Sequence, residues 1–408
     1  MKDERNTGHI LVISQYFYPE QFRINDMCCE WVKRGYKVTV LTGIPNYPQG
    51  KFYEGYGLRK KRKEIWNGID IIRIPLIPRG ANVVGLVLNY FSFPISGWVW
   101  KAATKIKADY VFMFETSPMM QCKIGVWYAK KFNVPLYLYV QDLWPENVEI
   151  ITGIHNDIII KPIQRMVDKI YKACTDIFVT SPSFKNAVCK RGISEKKVHY
   201  WPQYAEEFYQ VHKEESIDEI PNNNKFKIIF TGNIGFAQGL DILPRTARIL
   251  KNNHVENVQF VIVGDGRYAE QLRREIEDVK EYFIMVPRQP ADKIPKFLAA
   301  CDIAFLSFQN MELWKMTIPA KLQSYMACGM PILASAEGET QRVIDEAKCG
   351  FCVPLGDAEE LSQAIMKILT LDLTEMRRNS RKYFENHFNK KMLMDEMDTY
   401  FRMKRINK

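Results

Sequence analysis

The chain has 408 residues, with 57 Lys and Arg, 47 Asp and Glu, and 47% apolar residues. At roughly 100–200 residues per domain this length predicts two domains. The composition excludes a mainly disordered, collagen-like or coiled-coil chain. In chain order, the first ten residues hold no apolar run, so no leader is expected. Residues 9–14 predict a first strand, followed by the polar and aromatic loop Tyr16 to Asn25 and an amphipathic helix over 23–33. Strands are predicted at 37–42 and 69–75. Between them lies the basic stretch 51–63, with Arg59, Lys60, Lys61, Arg62 and Lys63 in one run. Residues 80–100 carry no charge. Their length approaches a membrane span, but three Gly, Pro94 and several polar residues argue against one. A buried core segment is the leading expectation, and monotopic membrane contact beside the basic run the second. Strands follow at 109–114, 134–140, 176–180 and 197–201, with a helix over 161–173.

The segment 204–225 is polar and has no apolar period, which places the boundary there. Strands are then predicted at 226–231, 257–263, 282–286, 302–307, 331–335 and 350–353. Helices are predicted at 240–251, 268–279, 291–300, 320–327 and 358–369, and residues 373–408 read as two charged helices. Short apolar strands separated by helices predict parallel sheets covered on both faces. Two such series predict two doubly wound α/β domains. The domains are set at 1–206, 207–385 and a terminal helix at 386–408 that packs back on the first domain. Residues 1–206 hold 29 basic and 18 acidic residues, a net of +11, so the excess positive charge lies in the first domain. It favours an anionic partner such as phospholipid, polyphosphate or nucleic acid. The nine Cys form no disulfide framework, and the lone Cys349–Cys352 CxxC cannot complete a four-ligand metal site.

Open parallel sheets bind ligands at the carboxyl ends of their strands. Thr231 to Gly239 holds three Gly before a helix, which suits close approach of a phosphate. It lacks the GK[ST] ending of a P-loop. Gly264-Asp-Gly266-Arg-Tyr-Ala269 matches GxGxxA, but on the second strand of its domain instead of the first. Pro319 suits the first turn of the 320–327 helix, with Thr317 or Ile318 as its cap. Lys321 stands in that turn, where the helix dipole disfavours a cation unless an anion binds. In the first domain, Gln141-Asp142-Leu-Trp144-Pro145-Glu146 puts two carboxylates at a strand end. No His pair, Asp-x-Asp or GxSxG motif occurs. The residues therefore predict no metal site and no cofactor.

These residues resemble the retaining family 4 glycosyltransferases of GT-B fold, over nearly the full length. The resemblance rests on Gly232-Asn-Ile-Gly235, Val263-Gly-Asp-Gly266, Val286-Pro-Arg288, Tyr325-Met-Ala-Cys-Gly329 with Pro331 to Ser335, and Gly350 to Asp357. Gln141 to Glu146, Gly232 to Gly239 and Ile318 to Gly329 look like a narrower branch. That branch makes O-antigen, capsule and colanic-acid type polysaccharides and includes N-acetyl-L-fucosamine transferases. The family Glu pair is replaced by Met316 and Ser324, its diphosphate Arg and Lys by Asn233 and Gln238, and a frequent His by Gln141. The resemblance implies two Rossmann-like domains facing a cleft. It also implies metal-free transfer, with retention, of a sugar from a UDP-sugar to a lipid-linked saccharide. An N-acetylated deoxyhexosamine is the expected sugar, and a polyprenyl diphosphate the expected lipid.

On that reading Lys321 and Asp142 are the catalytic candidates. The nucleotide-sugar set is Gly232, Asn233, Gly235, Gln238, Gly264, Gly266, Arg288, Thr317, Ala320, Ser324 and Glu339. The acceptor side comprises Tyr18, Glu20, Arg23, Asn25, Trp144 and Glu146. The protein is expected at the cytoplasmic face of the membrane, held by anionic lipid, with no nucleic-acid partner. The alternatives are a GT-B-fold UDP-N-acetylhexosamine epimerase, an NAD-dependent dehydrogenase built on the GxGxxA match, and a non-catalytic membrane adaptor.

Overall fold

The structure is a computed structural model. It describes residues 7–80, 83–153, 155–213 and 217–406. Residues 1–6, 81–82 and 214–216, on which the leader, charge-free-segment and linker readings partly rest, lie outside the described residues. The chain forms two compact units. The first comprises Met1–Thr180, Phe184–Trp201 and Tyr400–Lys408, and the second Ser181–Ser183 and Pro202–Thr399.

The first unit contains β1 (His9–Ile13), β2 (Lys37–Gly43), β3 (Lys63–Trp66), β4 (Ile69–Ile74), β5 (Tyr110–Glu115), β6 (Leu136–Val140), β7 (Asp176–Val179) and β8 (Val198–Tyr200). They form one sheet in the order β3-β4-β2-β1-β5-β6-β7-β8. β5, β6 and β7 are buried at every position, as expected of parallel strands covered on both faces. The edge strand β3 is the exception. It runs antiparallel to β4, pairing Lys63 with Ile72 and Trp66 with Ile69, and alternates exposed and half-buried residues. Sequence reading missed it because its four residues carry two charges and follow the basic run.

The second unit contains β9 (Phe226–Asn233), β10 (Val258–Asp265), β11 (Phe283–Val286), β12 (Ile303–Ser307), β13 (Ile332–Ser335) and β14 (Gly350–Val353). Their order is β11-β10-β9-β12-β13-β14, and all pairs are parallel. Strand order reverses direction at β1, between β2 and β5, and at β9, between β10 and β12. These are the two topological switch points, where doubly wound sheets place ligands.

Three expectations need correction. Residues 80–100 are not a buried core segment. They contribute to a helix, Val83–Ala103, whose Asn89 and Phe93 are fully buried while Val84, Val87, Leu88, Phe91, Ile95, Trp98 and Val99 form an exposed apolar stripe. Among the described residues no helix is long and apolar enough to cross a membrane. The basic run, which charge alone also allows as a solvated loop without a partner, is exposed at Arg59, Lys60, Lys61 and Lys63 but tied down at Arg62. Arg62 donates to the Arg73 and Leu58 carbonyls, Lys61 lies 4.9 Å from the Tyr56 ring, and Lys63 opens β3. The helix expected over 268–279 stops at Glu275. It continues as a 3-10 turn with a non-helical Val279 (φ −133°), because Val279 and Tyr282 turn in to be buried in the core.

Candidate functional site

At the β9 switch point, Thr231, Gly232 and Asn233 lie beside Val263, Gly264 and Asp265 of β10 in parallel register. A Cβ at Gly264 would stand 1.9 Å from the Gly232 carbonyl oxygen, and one at Gly266 2.2 Å from that of Ile234. The two glycines of the GxGxxA match are therefore required by close backbone approach between neighbouring loops, which gives them a reason to exist without a dinucleotide. Gly232 has φ +123°, and a Cβ there would meet Lys321 Cε at 3.0 Å. Its missing side chain leaves the channel in which Lys321 lies.

Lys321 projects from the first turn of the Ala320–Ala327 helix. Its ammonium sits 4.0 Å from the centroid of the Phe230 ring and donates to Gln238 Oε1. It has no carboxylate partner among the described residues. Burial pushes its pKa down to about 7, since an ammonium removed from water with no counter-charge is disfavoured. The glycine loop is held next to it. Ser307 Oγ donates to the Gln238 carbonyl at 2.5 Å, and Gln309 N donates to the Ala237 carbonyl at 3.2 Å. Tyr325, on the same helix as Lys321, accepts from Thr231 N at 2.9 Å through its buried hydroxyl. This fixes the helix start to the end of β9.

The cap of that helix differs from expectation. Pro319 is the N-cap and offers no side-chain acceptor. The Thr317 hydroxyl donates back to the Leu313 carbonyl, and the Thr317 carbonyl accepts from Thr340 Oγ1 at 3.0 Å. The N–H groups of Ala320 and Lys321 find no protein acceptor among the described residues. A short row of free donors is thus held beside a cation, the arrangement that receives an anion at a helix start.

The structure brings together Gly232, Asn233, Gly235, Gln238, Gly264, Gly266, Ala320 and Lys321. It places the other expected residues differently. Ser324 is turned back onto the Ala320 carbonyl at 3.1 Å. Arg288 is exposed beyond β11, the sheet's edge strand. Glu339 is buried, with Oε1 accepting from Ser183 N and Oγ at 2.7 and 2.6 Å and Oε2 accepting from Arg342 at 2.8 Å. Oε1 thereby holds Ser183, and Oε2 is taken by Arg342.

At the β1 switch point the first unit gathers carboxyl groups. Asp142 Oδ2 accepts from Ser117 N and Oγ, both at 2.8 Å. Ser117 Oγ in turn accepts from Trp144 Nε1 at 3.1 Å and Asn147 Nδ2 at 2.7 Å. Behind Asp142 lies Glu115, the last residue of β5, which sequence reading missed. It is fully buried, and its Oε2 accepts from the N–H groups of Gln141 and Asp142 at 3.3 Å. Its Oε1 finds no partner among the described residues. Burial, reinforced by the Asp142 charge, holds the Glu115 carboxyl well above its usual range. Burial also raises Asp142, against the opposing Ser117 hydrogen bonds. The signal for Glu115 was a lone acid ending a wholly apolar strand.

The remaining acceptor-side candidates build the loop after β1. Buried Glu20 accepts from the N–H groups of Asn46, Tyr47 and Phe17, and burial pushes its pKa up to about 7 despite those bonds. Its position clamps two loops together and does not present a carboxylate to a ligand. Asn25 donates to the Glu20 carbonyl at 2.7 Å, and Tyr18 stacks on Trp66 at 4.3 Å. Arg23 is half-buried in the helix that follows. Glu146 opens the Glu146–Thr152 helix, 3.9 Å from Arg191. Among the described residues no group of three or more His, Cys, Asp or Glu is placed to hold a metal ion.

Two family descriptions match the chain. "Glycosyltransferase Family 4" matches residues 22–203 and "Glycosyl transferases group 1" matches residues 212–387. WcaI of Escherichia coli (strain K12), described as a candidate colanic acid biosynthesis glycosyl transferase, is 25% identical over 354 residues, 81% of this chain and 84% of its own. An Escherichia coli α-1,3-galactosyltransferase, named for UDP-Gal and α-D-GlcNAc-diphosphoundecaprenol, is 26% identical over 161 residues, 38% of this chain and 40% of its own. Among solved structures, sucrose-phosphate synthase from Thermosynechococcus elongatus matches with TM-score 0.74 at 17% identity, covering 98% of this chain and 100% of its own. HepE of Anabaena in complex with UDP matches with TM-score 0.69 at 14% identity, covering 97% and 100%. These two likenesses concern the fold.

Proposed function

From the premise that the chain is a glycosyltransferase of GT-B fold and family 4 type, we propose that it moves a sugar from a UDP-sugar to a lipid-diphosphate-linked saccharide in cell-surface polysaccharide assembly. The names of the relatives support the polysaccharide and the acceptor class. The observation that carries the donor side is Lys321, a cation with no counter-ion among the described residues, placed over the Gly232 gap at a helix start. A bound diphosphate supplies the missing charge. In transfer, the bond between the anomeric carbon and the phosphate oxygen breaks, and the leaving diphosphate gains negative charge. Lys321, the N–H groups of Ala320 and Lys321, and the Gly232–Gly235 backbone stabilise that charge more in the transition state than before it. The acceptor hydroxyl forms the new bond to the same carbon and passes its proton to the leaving phosphate oxygen, with retention and without metal. Asp142, fixed by Ser117, orients an acceptor or sugar hydroxyl.

The sugar in this reading is an N-acetylated deoxyhexosamine. The protein works at the inner face of the membrane, where Arg59 and Lys60 and the apolar stripe of the Val83–Ala103 helix meet anionic lipid. The decisive experiment is a thermal-shift panel of UDP, GDP, ADP and TDP. UDP at one hundred times its Kd should stabilise the fold by about 2.7 kcal/mol, visible as a rise of a few degrees. A flat response to UDP, or a larger one to ADP, would overturn the donor assignment.

A further inference from the structure

The first unit holds a second cation without a carboxylate partner. Arg79 lies after β4, half-buried, with its guanidinium carbon 5.5 Å from the centroid of the Tyr47 ring. Its backbone N–H donates to Asn46 Oδ1 at 3.1 Å. Its side chain makes no ion pair and no hydrogen bond among the described residues. The carboxylates nearby are turned to other tasks: Glu20 clamps loop N–H groups, and Asp142 accepts from Ser117.

One phenol, Tyr47, lies against the guanidinium, and Tyr16 and Tyr90 lie within its electrostatic reach. Tyr47 packs on Tyr16 with ring centroids 5.4 Å apart. Burial raises the pKa of Tyr16 and of Tyr90, and for both the Arg79 charge opposes it. Tyr90 also feels Asp142, Glu115 and Tyr47, so the cation, the phenols and the carboxyl pair share one locality. The Tyr47 and Tyr90 hydroxyls find no protein hydrogen-bond partner among the described residues. A half-buried cation without a counter-ion is costly, and an arginine fork flanked by hydroxyl donors matches phosphate oxygens in geometry and charge. The exposed apolar stripe of the Val83–Ala103 helix begins at Val84, five residues beyond Arg79. A hydrocarbon attached to a bound phosphate would have apolar surface at hand.

We propose that Arg79, with Tyr47 and Tyr90, binds the diphosphate of an amphiphilic acceptor, with Asp142 beside its sugar. This rests on the lipid-diphosphate acceptor reading given above. Arg79 thereby sets how the acceptor is anchored, while the chemistry of the leaving group belongs to Lys321.

The test is calorimetric titration of the full chain with geranyl diphosphate, a short soluble isoprenoid diphosphate, in the presence of saturating UDP so that the Lys321 site is filled. Arg79→Ala should weaken binding at least tenfold and Tyr90→Phe about threefold. Arg79→Lys should recover part of the loss, because it restores charge without the planar fork. Unchanged affinity in Arg79→Ala overturns the site. So does a loss that appears in Lys321→Met instead. Inorganic pyrophosphate binding as tightly as geranyl diphosphate overturns the amphiphile and leaves a free-diphosphate site. An intact UDP-induced rise in melting temperature in each Arg79 and Tyr90 variant shows that its fold is preserved. If wild-type protein shows no such rise, the donor reading fails, and the geranyl diphosphate titration, repeated without UDP, still decides the fate of Arg79.

Discussion

At the scale of single residues, Lys321 carries the clearest consequence. Its pKa is about 7 in the folded chain, against an ordinary lysine value near 10.4 in the unfolded chain. The unfolded state therefore binds more protons between those two values, and stability rises with pH across that window. The cost of holding the charge is full below pH 7 and gone above about pH 10.4. Lys321→Met should raise the melting temperature of the free protein at pH 6, with the gain fading towards pH 10. The same variant should lose the UDP response and at least tenfold in turnover. A variant that is less stable at pH 6 than wild type would refute the buried-charge account. Lysine at this place was legible from sequence because the first turn of a helix is a poor site for a cation. Its seat over Phe230 and its bond to Gln238 were not legible, since both depend on how β9 and the Ala320–Ala327 helix meet. Arg79 went unread for the same reason. It looks ordinary in sequence and gains meaning only from neighbours many positions away.

At the scale of elements, parallel strands were the easiest to read. Buried runs such as Val111 to Phe114 and Leu136 to Val140 have no polar residue to confuse the signal. The helix of residues 320–327 has the expected bounds, although its cap is Pro319 and not Thr317 or Ile318. The Val83–Ala103 helix was harder. It is apolar nearly all round, so periodicity cannot separate its buried face from its outer one. The structure divides them, with Asn89 held between Gln15 and the Ile77 carbonyl on the inner face and the stripe from Val84 to Val99 outside. Exposed apolar patches of this kind mark an interaction surface. Phe91→Lys with Trp98→Lys should leave the melting temperature within about a degree and reduce co-sedimentation with vesicles containing phosphatidylglycerol. Equal sedimentation of variant and wild type would remove this stripe from membrane contact.

At the scale of the whole molecule, the two-sheet organisation followed from two runs of alternating strand and helix. The antiparallel edge β3 did not, because edge strands escape the burial that makes central strands recognisable. No disulfide joins any of the nine cysteines. At the end of the chain, Tyr400 and Phe401 belong to the first unit, the one towards which the terminal helix was expected to pack. Phe401 is fully buried in the first unit, with ring centroids 5.0 Å from Tyr137, 5.1 Å from Tyr110 and 5.9 Å from Trp31. Tyr400 rests on Phe178 and His199, and its carbonyl accepts from the Tyr137 hydroxyl at 3.3 Å. The fold of the first unit is therefore not contiguous in sequence: its last aromatic wedge is translated after the second unit. A recombinant fragment ending at Trp201 should emerge from the ribosome with an open seam and precipitate, and a synthetic peptide spanning 390–408 supplied in trans should rescue its solubility. Nascent chains, by the same logic, must wait for Tyr400 and Phe401 before that half can close.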